Sequence, residues 1–135
     1  MEQKQIDLVQ SGFQKVMRQR DLFAIDFYNE LFRIAPHLRQ IFPKDMARQR
    51  KKLSESLIII MQYLGNSEAE MRDYLFHLGQ KHAQEYQTLP EHYPVLKEAL
   101  MTTLTYQLGE LWTREMKEAW SVTIDKIAVY MMLPV

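Results

Sequence analysis

The chain has 135 residues, 47% of them hydrophobic, which suits one compact domain over residues 1–135 with a sizeable core and leaves little room for a second. Lys+Arg and Asp+Glu both number 17, so the formal net charge is zero and bulk charge selects neither nucleic acid nor an anionic membrane as a partner. The absence of cysteine excludes disulfides, thiolate-bound zinc, iron–sulfur clusters and cysteine nucleophiles, so a metal here must rely on histidine, carboxylate or a cofactor.

Apolar residues recur every three or four positions between sparse Gly and Pro, the pattern of an all-helical chain without strands. A first helix is expected from about Gln5 to Gln19, with Ile6, Val9, Phe13, Val16 and Met17 inward. Asp21 is placed to cap a second helix through Ala35, and Pro36 to open a short helical turn ending near Phe42-Pro43. A third helix, from about Asp45 to Leu64, begins basic and turns apolar at Leu53, Leu57, Ile60, Met61 and Leu64, with Gly65-Asn66 closing it. Ser67 and Glu70 have capping-box spacing and start a helix expected to end near His82. Thr88 and Glu91 mark the next start, Leu96, Leu100, Leu104 and Leu108 continue it to Gly109, and Thr113 caps a last helix carrying Met116, Trp120, Ile124, Ile127 and Met131.

Met1 to Gln5 lacks the apolar core of a signal peptide, and the longest apolar run, Leu57 to Met61, is far too short to span a bilayer, so a soluble cytoplasmic protein is expected. No internal repeat or low-complexity tract is present, and helices of unequal length suit crossed packing, which leaves pockets between them. Function is expected in such a pocket. No Ser-His-Asp or paired-carboxylate spacing and no Gly-rich phosphate loop can be read, so hydrolysis and phosphoryl transfer are poorly supported.

His82 shares an apolar stripe with Leu75 and Leu78, where an imidazole suits a ligand for a metal in a greasy site. Taken alone, that placement fits a satisfied core histidine better than a ligand. Further segments change the balance. Phe27-Tyr28-x-x-Leu31-Phe32-x-x-Ala35-Pro36-x-Leu38-x-x-Ile41-Phe42 resembles the second-helix and corner segment of bacterial single-domain globins and the globin domain of flavohaemoglobins. Leu78-Gly79-Gln80-Lys81-His82 resembles their haem-ligand segment, Pro90-Glu91-His92-Tyr93-Pro94-Val95 the start of the following helix, and Trp112-Thr113 with Glu118-Ala119-Trp120 the last helix. Each piece is a weak motif, but four in correct order cover nearly the whole chain.

The resemblance implies an all-α globin fold of six to seven helices enclosing a pocket for haem b (iron protoporphyrin IX). His82 would be the iron ligand, Phe42 would stack on the porphyrin, and Tyr28 and Gln49 would meet a bound diatomic gas (oxygen, nitric oxide or carbon monoxide) on the free face. Without the resemblance, Tyr28 and Phe42 are core aromatics and Gln49 a solvated helix residue. Leu53, Leu57, Leu75, Leu78, Val95 and Leu100 are the expected lining. An apolar lining keeps water from ferrous haem. Cations near a helix start oppose the macrodipole, so Lys52, assisted by Lys44 or Arg48, is expected to pair with a haem propionate. Arg48-Gln49-Arg50-Lys51-Lys52 is otherwise a solvated face, because its charges point in several directions. His37 is expected in solvent and His77 off the stripe, while His92 is equally suited to a haem edge or to solvent.

Tyr93 matches the family's tyrosine near the ligand histidine, but the chain ends about where the family's partner glutamate would stand, so a weaker proximal hydrogen-bonded set is expected. The segment from His82 to Pro90 is slightly longer than the pattern. The expected function is reversible oxygen or other gas binding. The alternatives are nitric oxide dioxygenation, which needs a separate reductase since no flavin domain follows, and a haem-based or haem-free sensor or interaction module. The oligomeric state is not legible.

Overall fold

A computed structural model describes residues 1–134. Among these, six α-helices form without any strand: α1 Gln3–Val16, α2 Arg20–Ile34, α3 Ala47–Tyr63, α4 Glu68–Tyr86, α5 His92–Leu108 and α6 Arg114–Met131. Short 3₁₀ turns follow α1, α2 and α5 at Met17–Gln19, Pro36–Ile41 and Gly109–Leu111. The expected order of helices is present, with boundaries moved by local chemistry. Asp21 lies in the first turn of α2 and does not cap it; Gln19 holds the cap position with no side-chain bond. Asp45 lies outside α3, where its Oδ1 accepts from the Ala47 N–H at 3.0 Å, so the helix opens two residues later than its first polar signal. Ser67 and Thr113 do cap, accepting from Glu70 N and Met116 N at 3.2 Å each. Gly109, at φ +52°, closes α5 in a conformation that a side chain rarely adopts.

The largest departure is at the end of α4, which runs one turn beyond His82 to Tyr86. The His82 carbonyl holds that end, accepting from the Gln87 N–H, the Thr88 N–H at 3.4 Å and the Thr88 hydroxyl at 3.2 Å. Gln87 takes the left-handed conformation that such a helix stop requires, at φ +52°. The segment after His82 therefore folds back onto the His82 backbone and does not leave as an open loop.

Two apolar clusters organise the packing. The larger gathers all six helices around Val9, Phe23, Leu75, Leu104 and Trp120, each at most 2% exposed. The smaller, Phe27, Tyr28, Leu31, Ala35, Leu38, Met46 and Ala99, joins α2 and its corner to α5. α4 lies tight against α6 because Gly79 has no side chain: a Cβ there would run into the Met131 backbone carbonyl. No helix among the described residues is long and apolar enough to cross a membrane.

Candidate functional site

Between the two clusters lies a cleft with a cavity of about 650 Å³, within the usual range for a small-molecule or cofactor site. Its walls come from α2, the corner, α3, α4, α5 and α6, and they include every expected site residue: Tyr28, Phe42, Gln49, Lys52, Leu53, Leu78, His82 and Tyr93. Of the six expected apolar lining residues, Leu53, Leu57, Leu78 and Leu100 are present. Leu75 and Val95 are not. Leu75 is wholly buried in the larger cluster, one turn of α4 away from the cleft, and Val95 packs against the smaller cluster.

His82 is held by its own helix. Its Nδ1 lies 2.9 Å from the Leu78 carbonyl, a contact that places the ring proton on Nδ1 and leaves Nε2 with its lone pair and no protein partner among the described residues. Burial pushes the imidazole below its ordinary range, against a smaller upward pull from that carbonyl bond, so the neutral ring is favoured. A neutral imidazole with one nitrogen tied back and the other free is the donor that a metal needs. The described residues offer no group of three His, Asp or Glu able to hold a bare ion, so a metal at His82 must bring its other donors in a cofactor.

Tyr28, 6% exposed, stands at the base of an aromatic group, edge-on to Phe27 at 5.1 Å and to Phe42 at 5.6 Å. Gln49 Nε2 donates to the Tyr28 hydroxyl oxygen at 3.0 Å. Burial pushes the Tyr28 phenol up to about 12, with the Gln49 bond opposing weakly, so its hydroxyl keeps its proton. The amide of Gln49 has a second partner that the sequence did not suggest. Tyr86 donates its hydroxyl proton to Gln49 Oε1 at 3.0 Å, while its ring lies 5.5 Å from Phe42 and 5.2 Å, edge-on, from His82. The signal for Tyr86 was its spacing: four residues after His82, it shares that residue's helical face only if the helix continues, and the expected stop at His82 hid it.

Lys52 is half-buried at the cleft wall and makes no ion pair among the described residues, whereas Lys44 and Arg48 are exposed and do not line the cleft. Lys44 precedes α3, and Arg48 is exposed in the first turn of that helix. Tyr93 lines the cleft, and burial raises its phenol, but its hydroxyl makes no hydrogen bond to a described side chain, and His82 Nδ1 is taken by the Leu78 carbonyl. His37 is exposed, as expected. His77 is exposed, bonds the Asp73 carbonyl at 2.8 Å and borders the cleft mouth. His92 also borders it, with Nδ1 accepting from the Leu89 N–H at 3.0 Å.

These residues fit haem. A histidine with an unpartnered ring nitrogen lines a largely apolar crevice, two polar side chains stand on the α2–α3 side, and a lysine that makes no ion pair among the described residues lies at the wall. Known proteins resemble the chain along nearly its full length. It is 27% identical to an anaerobic nitrite reductase of Solanum lycopersicum, over 93% of this chain and 88% of the other. It is 27% identical to a leghemoglobin of Psophocarpus tetragonolobus, over 93% and 92%. It is 28% identical to an anaerobic nitrite reductase of Oryza sativa subsp. indica, over 92% and 88%. Residues 25–131 match the family described as Globin, and the chain belongs to the globin family.

Proposed function

We propose that the chain binds haem b in this cleft through His82 and holds a diatomic gas beside Tyr28 and Gln49. The observation that carries the reading is the His82 ring, which lines the cavity, is tied at Nδ1 to the Leu78 carbonyl and has no protein partner at Nε2 among the described residues. When bound, haem would supply an iron that His82 holds and that can take up oxygen, nitric oxide or carbon monoxide. The protein does the rest. Leu53, Leu57, Leu78 and Leu100 exclude water, Phe42 packs against the macrocycle, and Lys52 pairs with a propionate. Tyr28 retains a proton to donate, and the Gln49 amide has a second N–H beyond the one given to Tyr28. Hydrogen bonds to a partly charged acceptor contribute ~1.5–3 kcal/mol each, and ~1.4 kcal/mol is tenfold in affinity, so slow gas release is expected.

The finer placement beside bacterial single-domain globins and flavohaemoglobins rests on the motif segments and the Tyr28–Gln49 pair; the relatives named above are plant proteins. Their names favour a second reading, nitrite reduction. Converting nitrite to nitric oxide and water consumes one electron and two protons, and Tyr28 is a proton-bearing group at the pocket. Like nitric oxide dioxygenation, it needs electrons from a separate reductant. The test is to measure, on the haem-loaded chain, the oxygen release rate, nitrite loss without oxygen, and nitric oxide loss with a generic reductase. Slow oxygen release with little turnover supports gas binding. Rapid nitrite or nitric oxide turnover supports the corresponding enzyme. A chain that stays colourless after haem addition overturns all three and leaves an interaction module.

A further inference from the structure

Tyr86, Gln49 and Tyr28 form a continuous phenol–amide–phenol chain, with two links of 3.0 Å each, joining the end of α4 to the start of α3 and to α2. The middle member decides what the others can do. A primary amide accepts at one end and donates at the other, and a phenol can do either. Two arrangements therefore satisfy all three residues. In the observed one, Tyr86 gives its proton to Gln49 Oε1, Gln49 Nε2 gives one to the Tyr28 oxygen, and the Tyr28 proton remains unspent. With the amide reversed, Tyr28 gives its only proton to Oε1, and the unspent proton belongs to Tyr86. The two differ in whether the most buried phenol of the cleft can donate to a ligand.

Tyr86 holds the first arrangement in the structure by giving its proton to Gln49 Oε1. Its ring is fixed between Phe42 and His82, and its hydroxyl has no hydrogen-bond acceptor among the described residues besides Gln49 Oε1. We propose that Tyr86 is a positioning residue that sets the orientation of the Gln49 amide and so keeps the Tyr28 proton available to a gas ligand. It touches no reacting atom itself and acts only through Gln49. The proposal rests on the gas-binding reading for its consequence, but the orientation of the amide is a property of the chain and is measurable without gas or haem.

The test compares the full-length protein with Tyr86→Phe, which keeps both ring contacts and removes the hydroxyl, and adds Tyr28→Phe, Gln49→Leu and the Gln49→Leu/Tyr86→Phe pair. In the haem-loaded protein, Tyr86→Phe is expected to move the carbon monoxide stretching band toward that of Tyr28→Phe and to speed oxygen release roughly two- to tenfold, the range of one hydrogen bond. In the Gln49→Leu background the same substitution is expected to change neither. In the haem-free full-length protein, Tyr86→Phe is expected to shift the Gln49 side-chain amide proton resonances. Unmoved amide resonances overturn the proposal, as does an equal effect of Tyr86→Phe with and without Gln49. If Tyr28→Phe itself leaves gas release and the stretching band unchanged, the gas-binding role of Tyr28 fails, and the amide resonances still decide whether Tyr86 orients Gln49.

Discussion

Leu75 and Leu78 sit three residues apart on one helix and show two kinds of interior. Leu75 is fully buried among Val9, Leu104 and Trp120, where helices meet helices and no space is left. Leu78 is half-buried and faces the cleft, where α2, α3 and α4 present apolar side chains to a cavity and not to one another. In the first region the helices satisfy their own apolar faces. In the second they stop short of doing so, and the polar groups placed there, His82, Tyr28 and Gln49, keep a donor or a lone pair beyond the bonds they make to the protein. The larger cluster holds the fold, and the cleft is left for a ligand to complete.

That contrast can be broken by substitution. Leu75→Ala is expected to cost about 2–5 kcal/mol of unfolding free energy through a cavity in a packed site, whereas Leu53→Ala at the cleft is expected to cost clearly less in the haem-free chain. Chemical denaturation of both measures it, and equal losses would show that the cleft is as filled as the core. Tyr28 gives a smaller, pH-dependent effect. Its phenol titrates near 10 when unfolded and at about 12 when folded, so the proton is bound more tightly in the native state. The associated stability is fully present below pH 10 and lost as pH rises through about 12, by at most ~3 kcal/mol. Tyr28→Phe should remove that dependence; a retained slope would assign it elsewhere.

The same Tyr28→Phe substitution should speed oxygen release about ten- to a hundredfold, corresponding to a hydrogen bond of ~1.5–3 kcal/mol to a partly charged acceptor. Stopped-flow release kinetics would show it, and a change under twofold would remove Tyr28 from the gas site. Smallest is Lys52→Glu. Because Lys52 is partly solvated, its attraction to a propionate is screened, and reversing its charge should speed haem loss only several-fold. Transfer of haem to an acceptor protein reads that rate, and unchanged kinetics would end the role proposed for Lys52.

The sequence made the helix order legible because periodicity and caps are local: Ser67 and Thr113 stand where their spacing put them, and the Leu75–Leu78–His82 stripe is real. The residues that line the cleft were legible because one histidine on an apolar face coincided with four ordered family segments. The sequence failed where long-range packing decides. Leu75 and Leu78 have the same periodicity, and only the neighbouring helices determine which of them faces a core and which a cavity. Lys44 and Arg48 were expected to assist Lys52, yet of the three only Lys52 lines the cleft. Tyr86 was hidden by a helix end with no Gly or Pro to mark it, since Gln87 supplies the left-handed stop and Thr88 the bonds that secure it.

The most direct measurement is a spectroscopic titration of haem into the purified full-length protein and its His82→Ala variant, each reduced and exposed to carbon monoxide. Saturation at one haem per chain, a histidine-ligated ferrous spectrum that converts to a carbon monoxide complex, loss of that spectrum in His82→Ala and its recovery with added imidazole are the predicted result. Indistinguishable spectra for the two proteins, or no haem uptake by the unaltered chain, would contradict the role assigned to His82.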